Sequence, residues 1–234
     1  MPIVKVCWSG GKDSTCAVLK HIERGNKVKV VCYVPMFTKE IPLILIDHYE
    51  HILRTAQYFK DLGAEVHIVT GMVYWDYVTH IAKTGKYKGM IFGFPCFIRG
   101  QCGFKRDSKE KAIKNCDVGS YDYTDIGIAY DETDRHKQLS DIKRSILVEE
   151  KITEAEATTI CWRHNVLSPI YTRTGRDGCV LCPNAKASER EQWFKDFPGV
   201  RDKLIELQNI VKANRPDRFP LRNYKWFIES EDTQ

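Results

Sequence analysis

The stretch VKVCWSGGKDSTCAVLKHI, residues 4–22, decides the fold. An apolar, partly β-branched run ends at Trp8. A polar turn with Gly10 and Gly11 follows, and a helical apolar pattern through Ala17, Val18, Leu19 and Ile22 begins at once. Strand, tight turn and helix in that order open a βαβ unit. Glycines lack a Cβ, so backbone N–H groups can approach an anion closely. The helix N-terminus adds unpaired N–H groups and the positive end of a dipole. Lys12 supplies a full charge, Ser9, Ser14 and Thr15 supply hydroxyls, and Asp13 can cap the helix or help to hold Mg²⁺. A plain junction explains one glycine and one capping residue, but not a lysine beside two glycines and two serines. The spacing also differs from G-x-x-x-x-G-K-[ST], because the lysine directly follows two adjacent glycines.

Outward from this junction, strands and helices alternate. The pattern predicts strands at 27–34, 64–71, 89–94, 123–130 and 145–150, and helices at 13–24, 47–63, 74–85 and 153–165. Thr153 and Glu156 stand at capping-box spacing for the last of these. Residues 35–46 have two prolines and no clean period, and 95–117 reads as an insertion with one helical stretch. Alternation with short connections predicts a doubly wound, mainly parallel α/β sheet. From 167 the pattern changes to a loop rich in glycine, proline and cysteine, then helices at 188–197 and 201–215. The division expected is a nucleotide-binding α/β domain over 1–150 and a helical, cysteine-containing region over 151–234.

With 43% hydrophobic and 29% charged residues, the composition is that of an ordinary globular chain. No apolar run approaches the roughly 20 residues of a membrane span, and no signal-peptide layout opens the chain, so a cytoplasmic location is expected. The net charge of +5 is compatible with anionic substrates, nucleic acid included. Nine cysteines without a secretory signal argue for thiols or metal ligands over disulfides. Cys7, Cys16 and Cys32 read as core residues. Cys179 and Cys182 form a C-x-x-C, and Cys96 with Cys102 can supply a second pair. Four thiolates suit Zn²⁺ or a four-iron cluster; a redox dithiol or two ordinary thiols are the alternatives.

GIAYDETDRH (127–136) follows a predicted strand and so falls on the same sheet edge as the glycine loop. There Arg135 can contact phosphate, while Asp131 or Glu132 can bind Mg²⁺ or orient Arg135. His48 and His51, three apart on one helix, can face this edge or solvent. The tail holds Arg218, Phe219, Arg222, Tyr224, Lys225, Trp226 and Phe227, a mix that contacts nucleic acid or packs on the last helices.

SGGKDS directly after a first strand resembles the PP-loop of the N-type ATP pyrophosphatases and the phosphoadenosine-phosphosulfate (PAPS) reductases. GIAYDETDRH is similar to a second block of the reductases. The stretch 148–185, which ends in GRDGCVLCPNA, is similar to the C-terminal part of a PAPS-reductase-like group. Together the three blocks span residues 4–185. The resemblance implies an adenine nucleotide alpha hydrolase-like fold and an enzyme that cleaves ATP to AMP and pyrophosphate. The phosphates would lie on Ser9, Gly10, Gly11, Lys12, Asp13, Ser14 and Thr15. Adenosine would lie near Tyr33 and Val34, up to Met36. Lys109, with Lys105 and Arg106, would assist on the phosphates, and Lys12, Asp13, Asp131, Glu132 and Arg135 would carry the chemistry. Related PP-loop enzymes that thiolate nucleic acid carry clusters, which permits one at the four cysteines, with nucleic acid among the possible acceptors. Ala129 stands where the reductases have arginine, and no Cys-Gly-x-His follows Cys182. Adenylation is therefore the first reading, a PAPS or adenylyl-sulfate reductase variant the second, and a non-catalytic nucleotide-binding or nucleic-acid-modification subunit the third.

Overall fold

In chain order, the computed structural model has β1 (Ile3–Trp8), α1 (Lys12–Glu23), β2 (Lys27–Tyr33), α2 (Ile46–Asp61), β3 (Glu65–Val69), α3 (Tyr74–Thr79), β4 (Phe97–Ile98) and β5 (Gln101–Cys102). Then come α4 (Lys111–Asn115), β6 (Tyr123–Ile126), β7 (Lys143–Arg144), α5 (Ile146–Glu149), α6 (Glu154–Arg163), α7 (Ala187–Asp196) and α8 (Val200–Asn214). The structure describes residues 1–95, 97, 98, 101–173 and 175–219.

The chain forms two units that interleave in sequence, without a single boundary near residue 150. The first comprises 1–34, 47–69 and 112–177; the second comprises 35–46, 70–111 and 178–234. The first unit is an α/β fold. Its five strands are all parallel, in the order β3-β2-β1-β6-β7. Val4 and Val6 of β1 and Val30 and Val31 of β2 have no exposed surface, which is why these runs read as continuous apolar strands. Helix α1 packs on α5 and α6, and presents Ala17, Val18 and Leu19 to the core. The strand order runs outward from β1 in both directions, so the ligand crevice of such a sheet lies beyond the carboxyl ends of β1 and β6.

The second unit is built on aromatic packing. Phe37, fully buried, meets Trp193 edge-on at 5.3 Å and Trp75 at 6.1 Å. Trp193 Nε1 donates to the Pro42 carbonyl at 2.9 Å, so its one polar atom is satisfied. Helix α3 lies against α8. The short strands β4 and β5 pair antiparallel with each other.

Four expected elements differ, the first being the strand expected over 123–130, which ends at Ile126. The run at 89–94 is no strand: Ile91 bridges Ile81, and Phe92 N–H and Gly93 N–H donate to the His80 and Val78 carbonyls. The run 145–150 is the helical turn α5, because Ser145 caps it and accepts from Val148 N–H; the strand here is β7, just before it. The helix expected over 74–85 ends at Thr79, where the chain turns extended at His80. The capping box at α6 forms as expected: Thr153 and Glu156 bond reciprocally. No helix among the described residues is long and apolar enough to cross a membrane.

Candidate functional site

The loop between β1 and α1 is shaped by two glycines with different tasks. Gly10 has φ +80°, a conformation that side chains other than glycine rarely adopt. A Cβ there would also lie 2.6 Å from Ile52 Cγ1 and 2.8 Å from His48 Cε1 on α2. Gly11 is the N-cap of α1 in ordinary extended geometry (φ −75°, ψ 158°), and its open side faces Asp177 and Tyr171. Gly127, just past β6, lies so close that a Cβ would stand 2.4 Å from the Ser14 amide nitrogen. That backbone approach brings the segment after β6 against the first turn of α1.

The hydroxyls knit the loop. Ser9 N–H donates to Ser14 Oγ at 3.2 Å, and Ser14 Oγ donates to the Gly11 carbonyl at 3.1 Å. Trp8 Nε1 donates to Thr15 Oγ1 at 2.9 Å. His48 Nε2 donates to the Ser9 carbonyl at 3.2 Å, which leaves Nδ1 to accept from Ser168 Oγ at 2.9 Å. Burial holds His48 below the usual imidazole range. Burial, together with His48 and Arg54, pushes His51 down to about 4. Both histidines are buried beneath the loop and support it as neutral rings. Cys16 and Cys161 are buried too. Burial raises both thiols, Cys161 to about 12, so these are inert core residues.

Lys12 stands in a nest of carboxylates. Its Nζ is 2.9 Å from both oxygens of Asp13 and 3.3 Å from Glu154 Oε2. Burial pulls this ammonium down, but Asp13 and Glu154 outweigh it and hold it above its usual value. Burial raises the Asp13 carboxyl, Lys12 opposes this, and Glu154 and Glu132 push in the same direction as burial. Asp13, Glu132 and Glu154 each bring a ligand atom within 4.8 Å of the others, the one such grouping of three or more among the described residues. Three hard oxygen donors suit Mg²⁺, Mn²⁺ or Ca²⁺.

The remaining expected residues divide. Arg135 is exposed and paired to Glu132 at 2.6 Å. Asp131 accepts from Glu154 N–H at 3.0 Å and so caps α6, outside the carboxylate triad. Tyr33 and Val34 are buried at the end of β2. Lys109 is in the second unit, as are Lys105 and Arg106. So are Cys102, Cys179 and Cys182, which form no disulfide. Cys182 N–H donates to the Cys179 carbonyl at 3.1 Å in a tight turn. Burial raises the Cys102 thiol, and the neighbouring Cys182 adds to this. These three sulfurs are not among the groups gathered closely enough to share an ion, and Cys96, which completes the expected set, lies outside the described residues. Arg222, Tyr224, Lys225, Trp226 and Phe227 also lie outside them.

Three residues at the site carry no signal in the sequence. Glu154 reads as an acidic first-turn residue, the usual complement to a helix dipole. Tyr171 Oη accepts from the Lys12 backbone N–H at 2.9 Å, and Asp177 Oδ2 accepts from Ser9 Oγ at 2.8 Å. Two donors of the loop are thus engaged by oxygens from 159 and 168 residues away. Only the folded chain reveals that.

No protein-family model matches the chain, and no curated protein is significantly similar to it.

Proposed function

We propose that the chain is an adenine-nucleotide enzyme of the PP-loop type, with an adenine nucleotide alpha hydrolase-like first unit, which cleaves ATP between the α and β phosphates. The observation that carries this reading is the junction of the glycine loop, Lys12 and the Asp13–Glu132–Glu154 triad beside the carboxyl ends of β1 and β6. A triphosphate with a divalent cation needs both parts: donors and a cation for the phosphates, and hard oxygens for the metal.

In the reaction, an acceptor oxygen attacks the α-phosphorus, the bond to the α,β-bridging oxygen breaks, and pyrophosphate leaves with that electron pair. The acceptor is left adenylated, and a sulfur or nitrogen nucleophile then displaces AMP. The Gly10–Gly11 backbone, Lys12 and Ser14 hold the leaving pyrophosphate. Asp13, Glu132 and Glu154 would hold Mg²⁺, which supplies charge neutralisation. Lys12 bridges two of these carboxylates. A bound phosphate group would compete with these carboxylates for the Lys12 ammonium. Catalysis on this scheme is positioning and electrostatics.

The test is product analysis with ATP, Mg²⁺ and candidate acceptors. AMP and pyrophosphate are expected, and ADP with inorganic phosphate would refute the reading. The engaged loop donors, Tyr171 on Lys12 N–H and Asp177 on Ser9, favour as a second reading a nucleotide-responsive subunit without turnover of its own. Saturable ATP binding with no product under any acceptor would support it. The reductase variant requires sulfite release with a thiol donor.

A further inference from the structure

The second unit has a basin that shares no residue with the glycine loop. A cavity of about 670 Å³ is walled by Tyr77, Tyr87 and Phe92 and by Arg106, Arg215 and Arg218. Its volume lies within the range of small-molecule sites.

The wall is rigid. Arg215 is only 2% exposed, and its guanidinium forks onto both oxygens of Asp217 at 2.8 and 2.9 Å. Its Nη1 donates to the Ile91 and Phe92 carbonyls, and the group lies 4.2 Å from the Tyr87 ring centre. Arg215 is therefore a positioning residue that fixes Tyr87 and the adjacent backbone. Phe92 meets Tyr77 edge-on at 5.6 Å. A Cβ on Gly103 would stand 2.5 Å from Tyr77 Oη, so the floor is close-packed as well.

The other two arginines keep donors to spare. Arg106, with a side chain 67% exposed, uses Nε and Nη2 on its neighbour Asp107. Arg218 reaches Asp217 only at 3.9 Å. The positive charge also extends past the cavity. Lys83, Lys86 and Lys88 are exposed on the adjoining loop; Lys86 also lines the basin, where its Nζ lies 5.6 Å from the Tyr87 ring centre and, after Arg215, helps to lower the Asp217 carboxyl.

Ring faces combined with guanidinium donors suit a planar base attached to phosphate. The lysines beyond the cavity distinguish the source: a free mononucleotide has no phosphate to offer them, whereas a strand does. We infer that this basin seats one nucleotide of a single-stranded nucleic acid, with its base on the aromatic wall and the flanking phosphates on Arg106, Arg218 and the lysines of residues 83–88. The inference does not rest on the nucleotide chemistry proposed for the first unit.

The test is fluorescence anisotropy of the full chain with labelled short oligothymidylate and oligouridylate at low salt. Saturable binding is expected. The exposed pair Lys86→Ala and Arg106→Ala, made together, should weaken it about tenfold or more and flatten the salt dependence by roughly 0.7 in log–log slope per lost phosphate contact. Tyr87→Leu should weaken it about fivefold or more with the slope unchanged, because stacking carries no counterions. Lys12→Ala should leave strand binding as it is. Thermal melts check that each variant is folded. Three results overturn the inference: no saturable binding, folded basin variants that bind like the parent, or equal competition by oligoglutamate of the same charge. Competition by uridine monophosphate as strong as that of the strand would overturn the assignment to a strand.

Discussion

Replacing each of the two adjacent glycines by alanine should separate the fold from the site. At Gly10 the backbone has φ +80°, and alanine in that region costs about 1–2 kcal/mol. Its methyl would also press on Ile52 and His48, which are almost wholly buried, and overpacking of this kind costs about 1–3 kcal/mol. Together Gly10→Ala should lose about 2–5 kcal/mol, a large share of the ~5–15 kcal/mol that holds a typical domain folded. At Gly11 the backbone is ordinary, and the methyl would meet the ends of three side chains, Asp177 Oδ2 at 2.6 Å, Tyr171 Oη at 3.1 Å and Ser9 Oγ at 3.2 Å. The loss there is the Ser9–Asp177 hydrogen bond and a poorer N-cap, about 1–2 kcal/mol in all. Yet that methyl stands over the loop face that an anion must approach. Urea unfolding followed by tryptophan fluorescence gives the stability, and titration calorimetry with ATP gives the affinity. Gly11→Ala should stay folded and lose ATP binding, whereas Gly10→Ala should be the less stable of the two. A Gly11→Ala variant that is the more destabilised of the two, or that is folded and binds ATP like the parent, would refute this assignment of the two glycines.

Asp177→Asn keeps an acceptor for Ser9 but removes a negative charge from the loop, so pyrophosphate or ATP affinity should rise by up to about tenfold; a tenfold fall would make Asp177 part of the liganded site. Glu154→Gln should weaken Mn²⁺ binding, read by electron paramagnetic resonance, about tenfold. It should move the urea midpoint little, because Glu154 is half-exposed and its pair with Lys12 is solvent-screened. His51 sits near 4 when folded, so the unfolded chain binds its proton first as pH falls. The stability this ring contributes is present above 6.5 and is lost as pH drops toward 4, with a ceiling of about 3 kcal/mol. Urea midpoints between pH 7 and 4 should fall less in His51→Gln than in the parent. Asp125 is fully buried, accepts from Ile146 N–H at 2.7 Å, lies 3.0 Å from His21, and is raised above its usual value by burial. Its contribution is present below the ordinary aspartate range and falls as pH rises through the folded value. Asp125→Asn, which keeps an accepting oxygen, should flatten that decline in a pH series of thermal melts.

The sequence exposed what is local. The β1–loop–α1 junction could be read because apolar period, glycines and helix onset lie within twenty residues, and the Thr153–Glu156 box because a cap needs only four. It misled where an apolar run had more than one use. Residues 89–94 look like a strand, but Met90 and Ile91 pair with Ala82 and Ile81 across the turn between them, and Met90 is half-exposed. The turn 145–150 is apolar on its inner side, as a strand would be, and only Ser145 betrays a helix start. Glu154, Tyr171 and Asp177 were invisible as site residues because nothing in their neighbourhoods distinguishes them; folding over more than a hundred residues brings them to the loop.

The interleaving of the two units bears on how the protein is made. The chain passes from one unit to the other five times, at 34/35, 46/47, 69/70, 111/112 and 177/178. During synthesis, β1, β2 and β3 are available early, but the first unit stays unfinished until Asp177 has cleared the ribosome, and the second unit waits for the last helices. Strands whose partners arrive more than a hundred residues later expose open edges meanwhile. Slow, long-range closure of this kind favours folding after release. It also means that a fragment cut at residue 150 should come out insoluble, because it would carry all five strands of the sheet but lack α6 against α1 and Asp177 beside Ser9.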